Sequence, residues 1–331
     1  MKRVVSFGEI MLRLSPPGHE RFFQSPELRT YFGGSEANVA VSLAHFGVRS
    51  DYVTRVPANA LGDGAMRALR AEGVGVEHVV RGGSRLGLYF VESGADLRPM
   101  RVVYDRADSG FARLDPAEFD WASVLKDADW LHLSGITPAL GDGPARAAQQ
   151  AATVARGIGA TVSLDLNYRP ALWAGRDPSA VIRPLAESSD VLIANPGAVD
   201  AMLGIRVDGA LEWEKRLTAI AARVHEELGC GQVAMTHREV LSSSEHGWSA
   251  ALYEASGKNA HASRRYQVRI VDRVGGGDSF AAALIFARSS GRAGLDAVRF
   301  ATAASALKLT IPGDFNRVSA EEVDRLLEAS E

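Results

Sequence analysis

Short apolar runs alternate along the chain with segments whose apolar residues recur at helical spacing. The runs predict buried strands, and the segments between them predict amphipathic helices. The predicted strands cover residues 4–7, 52–56, 130–133, 161–166, 191–194 and 233–236. The predicted helices cover residues 36–46, 63–72, 142–156, 178–188, 211–228, 279–287, 296–309 and 320–327. Because this alternation is typical of a mostly parallel sheet with helices on both faces, we predict a doubly wound α/β fold.

Two segments interrupt this alternation. Residues 13–31 are polar, contain prolines and show no helical period, whereas residues 85–113 begin with two short strands of alternating polarity, 86–91 and 100–104. Such alternation is typical of a sheet with one covered face. We predict that the two segments meet as a small β-sheet lid, inserted into one domain that spans residues 1–331.

The overall composition excludes several classes of partner. With 331 residues and a formal net charge of −3, the chain lacks the basic balance of a nucleic-acid-binding or membrane-binding protein. Its single cysteine, Cys230, excludes an internal disulfide and fits a reducing compartment. The N-terminus leads directly into a strand, and the longest apolar run, 280–287, is too short to span a bilayer. We predict a soluble cytoplasmic protein without nucleic-acid or membrane partners.

The stretch Val271-Asp-Arg-Val-Gly-Gly-Gly-Asp-Ser-Phe280 carries the strongest chemical signal. Three glycines lead into Asp278 at the start of a predicted helix, where free N–H groups and the helix dipole attract anions. A carboxylate there repels phosphate but suits the removal of a proton from a hydroxyl that attacks phosphorus. Simple capping of the helix by Asp278 is the alternative.

A second glycine-rich turn, Gly33-Gly-Ser-Glu-Ala-Asn38, precedes another predicted helix. Its glycines let a ligand hydroxyl reach the backbone, and Asn38 offers a donor and an acceptor from the first helical turn. The alternative is a left-handed turn in which Ser35 caps the helix and Asn38 is solvated.

Polar residues follow several of the predicted strands, and ligands of parallel sheets bind at such strand ends. They are Glu9, the run Asp165-Leu-Asn-Tyr-Arg169, Asn195 and Thr236. Arg169 suits a carboxylate or a phosphate, and Tyr104-Asp-Arg106 offers a second cation. Tyr89 and Tyr104 suit a sugar, although packing also explains aromatic residues in strands. A surface loop remains the alternative for 168–170, and turn chemistry alone explains Ile311-Pro-Gly-Asp314.

Several common site patterns are absent from the sequence. The eight histidines do not have the spacing of a zinc site. The sequence contains no phosphate-binding Gly-x-x-x-x-Gly-Lys-Ser/Thr, no Gly-x-Gly-x-x-Gly after the first strand and no Gly-x-Ser-x-Gly. A Walker-type NTPase, a standard dinucleotide dehydrogenase and an α/β-hydrolase are therefore disfavoured.

Taken together, these motifs resemble the ribokinase-like (PfkB) carbohydrate kinases over nearly the whole chain. Residues 33–40 are similar to the N-terminal signature of that family and residues 272–280 to its C-terminal one. Within the family, the details resemble the 2-keto-3-deoxygluconate kinases. The residues that carry this likeness are Gly8-Glu9, Gly87-Leu-Tyr-Phe90, Tyr104-Asp-Arg106, Asp165-Leu-Asn-Tyr-Arg169, Met235-Thr-His-Arg-Glu239 and Ile311-Pro-Gly-Asp-Phe315.

The resemblance implies roles for individual residues. Asp278 would take the proton of the primary hydroxyl of the substrate, and the N–H groups of Gly275, Gly276 and Gly277 would hold the transferring phosphoryl group. The implied substrate contacts are Gly34, Asn38, Tyr89, Tyr104, Arg106, Arg169 and Asp314. Asn195, Thr236, Arg238 and Gly277 would contact the nucleotide, with Ala304 beneath the adenine.

The resemblance also implies the ligands, while the assembly is predicted from the small lid sheet. The substrates would be ATP and a sugar acid, Mg²⁺ would be held mainly by phosphate oxygens and water, and a role for a monovalent cation stays open. The chain itself would supply no dedicated metal ligands. Because edges of small sheets are often covered by a partner subunit, we expect a homo-oligomer built through the lid.

The chain departs from the family pattern at three places. Asn195-Pro-Gly-Ala198 lacks the glutamate that many relatives have, and Asp200 is offset from that position by two residues. Glu9 stands where aspartate is frequent, and Gly276 where alanine is frequent. A solvated strand end is the alternative for Glu9.

Three rival functions follow from the same residues. The first is a kinase for a neutral sugar such as fructose or ribose, in which Arg106 and Arg169 are structural. The second is a sugar-binding regulatory protein on the same fold, which the intact Gly-Gly-Gly-Asp disfavours. A dinucleotide dehydrogenase is a remote third.

Overall fold

The computed structural model describes residues 2–207 and 212–329. The strands, numbered β1 to β15 in chain order, are Arg3–Phe7, Met11–Ser15, Arg29–Gly33, Arg49–Val53, Arg55–Val56, Val80–Arg81, Gly87–Glu92, Arg101–Asp105, Trp130–Ser134, Thr161–Asp165, Val191–Ala194, Gln232–Ser242, Glu245–Glu254, Asn259–Ala262 and Tyr266–Arg269. The helices, numbered α1 to α11 in the same way, are Ser35–His45, Ala60–Ala71, Trp121–Val124, Ile136–Ala139, Asp142–Gly157, Ser179–Glu187, Pro196–Leu203, Trp213–Leu228, Gly276–Ser289, Gly294–Lys308 and Ala320–Glu328.

A nine-stranded sheet forms the centre of the molecule. Its strand order is β14-β13-β12-β11-β10-β9-β1-β4, with β15 also beside β13. The six strands β4, β1, β9, β10, β11 and β12, in this spatial order, pair in parallel. The strand β13 pairs with β12, β14 and β15 in antiparallel fashion. Because the parallel strands share one direction, their carboxyl ends meet at one edge of the sheet, where ligands of such sheets bind.

Helices cover both faces of this sheet because its strands are apolar on both sides. Phe7 and Leu133 pack on one face against α5 and α8, and Val4 and Ile193 pack on the other against α9 and α10. Alternate residues of one strand thus belong to different cores, as the period-two geometry of a strand requires. The predicted doubly wound α/β class is confirmed.

A separate four-stranded sheet, called the small sheet below, consists of β2, β3, β7 and β8 in the order β3-β2-β7-β8. It combines strands from the two segments, around 13–31 and 85–113, that were predicted to meet. The strand β2 pairs with β7 in parallel, while the outer pairs are antiparallel. That the small sheet closes over a ligand as a lid, and that the chain is one domain, stay predictions.

The sequence pattern was incomplete at the C-terminal half of the large sheet. The strand predicted at 233–236 extends from Gln232 to Ser242, and neither the antiparallel strands β13 to β15 nor the helix α7 was predicted. Of the helix predicted at 211–228, residue 211 lies outside the described residues. These elements alternate polar and apolar residues weakly, so tertiary pairing rather than local pattern decides their structure.

Candidate active site

A cavity of about 640 Å³ lies at the carboxyl edge of the large sheet, between that edge and the small sheet. This volume is within the usual range for small-molecule sites. All but one of the fifteen residues predicted to form the site line the cavity; these fourteen are Gly34, Asn38, Tyr89, Tyr104, Arg106, Arg169, Asn195, Thr236, Arg238, Gly275, Gly276, Gly277, Asp278 and Asp314. The fold therefore brings together residues that are up to 280 positions apart in sequence, counting from 34 to 314.

The glycine turn before α9 has the geometry of an anion site. Gly275 is the N-cap with φ of 83°, a left-handed angle that favours glycine. A Cβ atom on Gly275 would lie 2.2 Å from the backbone oxygen of Asp314, so a side chain is excluded there. At Gly277, a Cβ atom would meet nothing within 4 Å, because that side faces the cavity. The N–H groups of Gly275 and Gly277 have no hydrogen-bond partner in the described part of the chain and are open to a ligand, while that of Gly276 donates a long bond, at 3.4 Å, to the backbone oxygen of Arg273.

Asp278 does not cap this helix but bonds to the other glycine-rich turn. Its Oδ1 accepts a hydrogen bond from Ser35 Oγ at 2.9 Å, and its Oδ2 accepts one from Asn38 Nδ2 at 2.7 Å. Burial raises the pKa of Asp278, while the two donors and the positive charge of Arg169 oppose the rise. The alternative reading of Asp278 as a capping residue is wrong.

The turn before α1 also differs from its alternative reading. Gly34, not Ser35, is the N-cap, and its φ of 174° is extended rather than left-handed. Glycine is needed at 34 because a Cβ atom would lie 2.0 Å from the backbone oxygen of Glu9. Asn38 is buried, with 3% exposure, and is not solvated. Sequence reasoning assigned Ser35 to the helix start and missed its contact with Asp278.

Two more buried carboxyl groups lie near Asp278. Glu36 accepts hydrogen bonds from Ser134 and Thr137, both at 2.7 Å, and burial raises its pKa. Asp165 lines the cavity at the end of β10, where burial and the nearby Asp278 raise its pKa to about 7. This part of the cavity therefore disfavours additional negative charge and suits a neutral hydroxyl.

The pKa of Asp165 gives a stability prediction with a definite sign. Between pH 3.8, the ordinary value, and about 7, the folded chain keeps a proton on Asp165 that the unfolded chain releases. Stability is therefore lost as pH rises through this window, and Asp165→Asn removes the loss. We expect the variant to gain about 1–3 kcal/mol more in unfolding free energy at pH 8 than at pH 5. Urea unfolding at both pH values measures it; an equal gain at both contradicts it.

Three arginines, called the arginine wall below, also line the cavity. Arg169, Arg238 and Arg273 line it, and none of the three makes an ion pair with a carboxylate of the described residues. Burial and the neighbouring arginine charges lower the pKa values of Arg238 and Arg273. Sequence reasoning missed Arg273, although it stands inside the glycine motif. A wall of uncompensated guanidinium groups suits carboxylate and phosphate oxygens.

Arg106, in contrast, already has a carboxylate partner. Its guanidinium donates to Glu9 Oε2 through both Nε, at 2.8 Å, and Nη2, while Ser109 donates to the other oxygen of Glu9. Glu9 is 3% exposed, so its reading as a solvated strand end is wrong. As a cation for a ligand, Arg106 is partly neutralised by this pair.

Asp314 lies beneath the small sheet with its carboxylate fully engaged. Tyr89 donates its hydroxyl hydrogen bond to Oδ2, and Arg13 Nη1 lies 3.1 Å from Oδ1. Arg13 also pairs with Asp272 at 2.7 Å, and it is 2% exposed. Burial raises the pKa of Asp314 despite these partners. Asp314 lines the cavity, and its contact with a substrate stays a prediction.

Of the residues predicted to contact a nucleotide, Asn195 follows β11, Thr236 and Arg238 lie within β12, Gly277 lies in the first turn of α9, and all four line the cavity. Asn195 Oδ1 also accepts the N–H of Ala198 at 3.0 Å. Ala304 is the exception: it is 0% exposed and packs in the core around α9 and α10, so it does not line the cavity. Asp200, the suggested substitute for the missing glutamate, pairs with Arg206 instead.

The two glycines that follow Gly275 allow a matched pair of substitutions. We expect Gly277→Ala to reduce kcat about tenfold, because its methyl group enters the cavity beside the N–H groups that serve an anion. Stability should rise by about 0.5–1 kcal/mol, since alanine favours helix over glycine. Gly276→Ala should keep its activity, because its Cβ atom would meet only the mobile end of Leu309, at 2.8 Å. Steady-state kinetics and melting temperatures of both variants test this; equal activity losses contradict it.

Comparisons with known proteins agree with this geometry. The profile of the pfkB family carbohydrate kinases matches residues 1–320. A 2-dehydro-3-deoxygalactonokinase of Haloferax volcanii is 31% identical over 98% of this chain and 96% of its own length. A 2-dehydro-3-deoxygluconokinase of Thermoproteus tenax is 30% identical over 99% of this chain and 95% of its own.

Solved structures show the same likeness. The crystal structure of a 2-dehydro-3-deoxygluconokinase from Thermotoga maritima superimposes with a TM-score of 0.96 at 45% identity, covering 99% of this chain and 98% of that one. A fructokinase with bound ATP from Xylella fastidiosa, at 21% identity and a TM-score of 0.81, shares the fold. None of the helices described here is long and apolar enough to cross a membrane.

Proposed function

We propose, because this chain belongs to the pfkB family of carbohydrate kinases, that it transfers the γ-phosphoryl group of ATP to the terminal hydroxyl of 2-keto-3-deoxygluconate or of its galactonate epimer. The product is the 6-phosphate of the sugar acid. The observation that carries the proposal is the carboxylate of Asp278, held by Ser35 and Asn38 at a glycine helix start and facing an arginine wall.

The chemical step needs a base and an anion site, and the cavity offers both. Asp278 takes the proton of the primary hydroxyl while the hydroxyl oxygen bonds to the γ-phosphorus; the bond from that phosphorus to the bridging oxygen breaks, and ADP leaves. The N–H groups of Gly275, Gly276 and Gly277 hold the phosphoryl oxygens as charge moves onto the leaving group. Ser35 and Asn38 keep the carboxylate oriented and favour its ionised form.

The sugar acid binds between this base and the small sheet. Arg169 is the cation available for its carboxylate, while Tyr89, Tyr104 and Asn38 line the space for its hydroxyl groups. Tyr89 and Tyr104 stack with ring centres 5.9 Å apart and present one amphipathic surface. Arg106 contributes through its remaining N–H groups. A neutral sugar would leave Arg169 without an anionic partner on the substrate.

The nucleotide lies along β11 and β12, on the side of Asn195, Thr236 and Arg238. Donors and guanidinium groups here fit a polyphosphate. Among the described residues no group of three or more histidine, cysteine, aspartate or glutamate side chains could hold a metal ion. We infer that Mg²⁺ is bound mainly by phosphate oxygens and water, as this ion prefers, and that it supplies neutralising charge. We infer a cytoplasmic location, where ATP is available, and the free, buried Cys230 is compatible with a reducing compartment.

One observation favours a second candidate, a kinase of a neutral sugar. Glu9 already neutralises Arg106, one of the two cations predicted for the substrate carboxylate. If Arg169 served only the nucleotide, the cavity would have no dedicated partner for a sugar acid. The relatives at 30% identity or more that are described above are named for keto-deoxy sugar acids, which supports the first candidate.

The product identifies the reaction directly. The protein is incubated with MgATP and 2-keto-3-deoxygluconate, and ³¹P NMR follows the nucleotide and any new phosphate ester. We expect equal amounts of ADP and a monoester whose phosphorus couples to two protons of a CH₂ group, which identifies the terminal position. ADP formed with inorganic phosphate, or no ester at all, would argue against the proposal.

The small sheet also predicts the oligomeric state. Its edge strand β8 exposes Val103 and Tyr104, by 53% and 43%. An exposed strand edge with apolar side chains favours pairing with a second copy of the chain, so we expect a homodimer or larger assembly through β8. Light scattering at micromolar concentration measures the mass, and Val103→Lys should shift it towards the monomer. A strict monomer for the unmodified chain contradicts the expectation.

A further inference from the structure

Lys308, near the end of α10, is a buried cation that the proposed reaction has not used. It is 0% exposed, and its ammonium donates a hydrogen bond to the backbone oxygen of Ile311 at 3.1 Å. Among the described residues, no carboxylate forms an ion pair with Lys308. The ammonium has three N–H donors, and two of them have no hydrogen-bond partner in this part of the chain. Burial of an ammonium is unfavourable, and burial lowers the pKa of Lys308. A position that carries this cost calls for a functional explanation.

The surroundings compensate the charge of Lys308 without direct contact. Asp272 and Asp314 both act to keep its pKa up, although each is bonded directly to Arg13. Two cations and two carboxylates thus form one buried group: Arg13 on β2, Lys308 on α10, Asp272 before the glycine turn and Asp314 after α10. When all four are ionised, the group has no net charge. Removal of the lysine leaves it with one uncompensated negative charge beneath the cavity.

Lys308 lies directly behind the glycine turn. A Cβ atom on Gly275 would be 3.2 Å from Lys308 Cε, so the lysine side chain packs against the backbone of that glycine. Asp272 fixes the same turn by accepting the N–H of Val274 at 3.1 Å and that of Gly313 at 3.0 Å. The backbone that aims N–H groups into the cavity therefore rests on the buried charge group.

The charge of Lys308 also extends to the base. Burial raises the pKa of Asp278, and Arg169 and Lys308 are cations that act against this rise. The acidic neighbours Asp165 and Glu36 face Asp278 as well and interact with it unfavourably when ionised. These four charges act on the pKa of Asp278 in addition to the larger effects of burial and of the hydrogen bonds from Asn38 and Ser35.

We propose that Lys308 is a positioning residue of the phosphoryl-transfer site: its buried ammonium holds the carbonyl of Ile311 and supplies a fixed positive charge behind Gly275. The proposal rests on the proposed role of Gly275, Gly276 and Gly277 in holding the phosphoryl group. It has a consequence for cofactors, because a fixed ammonium supplies the charge that a free monovalent cation would otherwise bring. We expect kcat of the unmodified protein to be equal in sodium, potassium and tetramethylammonium salts.

The test compares Lys308→Met, which keeps the apolar stem, with Lys308→Ala, which leaves room for a small cation. Lys215→Met, at a lysine whose side chain is 73% exposed on α8, is the control. All are assayed with MgATP and whichever sugar the unmodified protein phosphorylates fastest, so that the result does not depend on the identity of the substrate. The readouts are kcat, its dependence on pH, and the melting temperature.

We expect both Lys308 variants to lose about 10- to 100-fold in kcat, the usual range for groups that orient a site from outside it. The acidic limb of the kcat profile should move to higher pH in Lys308→Met, because Asp278 loses a neighbouring cation. Ammonium or methylammonium ions should restore kcat of Lys308→Ala at constant ionic strength, whereas tetramethylammonium, which is too large and has no N–H donor, should not.

Three results would overturn the proposal. The first is a kcat of folded Lys308→Met within threefold of that of the unmodified protein. The second is a loss of kcat in both variants that comes with no change in the pH profile of Lys308→Met and no rescue of Lys308→Ala by ammonium ions. The third is a requirement of the unmodified protein for added potassium. If Lys308→Ala does not fold, the pH profile of Lys308→Met decides alone. If the unmodified protein phosphorylates a neutral sugar but none of the sugar acids, only the proposed substrate is refuted.

Discussion

Replacement of Asp278 by asparagine is expected to lower kcat by on the order of 10³-fold, within the range that removal of a general base produces. The amide has nearly the shape of the carboxylate and still accepts hydrogen bonds through its oxygen, but it takes no proton from the sugar hydroxyl. ATP should bind as before, because Asp278 repels phosphate rather than binding it. Coupled ADP-release kinetics measure kcat, and calorimetry measures the affinity for ATP.

The control for this variant is Asp296→Asn. Asp296 is also an acidic residue in the first turn of a helix, α10, but it is exposed and does not line the cavity. Its replacement removes a similar interaction with a helix dipole and should leave kcat unchanged. Asp278→Asn should also retain its melting temperature, since burial of a neutral amide costs less than burial of a charge. A folded Asp278→Asn protein with kcat near that of the unmodified chain would exclude Asp278 as the base.

Arg169→Ala should lower kcat/KM for 2-keto-3-deoxygluconate by about 10- to 100-fold, because a hydrogen bond to a charged group contributes roughly 1.5–3 kcal/mol. The reason is that Arg169 lines the cavity without a carboxylate partner of its own. Its side chain bonds only to backbone oxygens, so the folded state should lose little stability. Steady-state kinetics with sugar acid and ATP varied in turn measure the effect.

The same variant separates the two candidate functions. Turnover of fructose, which has no carboxylate, should change by less than threefold, and KM for ATP should change little. Arg101→Ala is the control, since Arg101 is an exposed arginine of β8 that does not line the cavity. Arg106 is less suitable for this purpose, because its removal leaves the buried carboxylate of Glu9 without a counter-ion. A uniform loss with acid and neutral sugar alike would assign Arg169 to the nucleotide.

The pattern of polar and apolar residues was sufficient to predict the buried parallel strands and the segments of the small sheet. The strand β11 begins and ends at the predicted residues, Val191 and Ala194, because it is a continuous apolar run between polar residues. The meeting of the two interrupting segments in the small sheet was also predictable from their change of period. The hairpin of β12 and β13 was not, since its stability comes from pairing and from packing on α8 and α10 rather than from its own sequence.

The sequence predicted most of the residues of the site but not the contacts between them. Most of the fourteen predicted residues that line the cavity belong to glycine turns, helix starts or the carboxyl edge of the large sheet, which the fold class brings together, whereas Tyr89 and Tyr104 lie within strands of the small sheet. The charge pairing inside the cavity could not be predicted. Glu9 and Arg106 are 97 residues apart, and Arg13 is 301 residues from Asp314. No spacing in a single sequence relates such residues.

Ala304 was predicted to lie in the site and does not line the cavity, whereas Lys308 lies behind the site and was not predicted. Ala304 was placed beneath the adenine by resemblance alone; in the structure it is fully buried in the core around α9 and α10 and does not line the cavity. Lys308, four residues later, gave no signal at all, since a lysine at the end of a helix usually lies in solvent. Only its burial in the structure distinguishes it.

The preference for a keto-deoxy sugar acid is tested by kcat/KM of the unmodified protein with MgATP and each of five substrates. These are 2-keto-3-deoxygluconate, its galactonate epimer, gluconate, fructose and ribose. We expect kcat/KM for the two keto-deoxy acids to exceed that for fructose and ribose by about 10- to 100-fold, the range that one hydrogen bond to a charged group contributes. A neutral sugar that is phosphorylated as well as the acids would contradict the assignment of the arginine wall to a sugar acid.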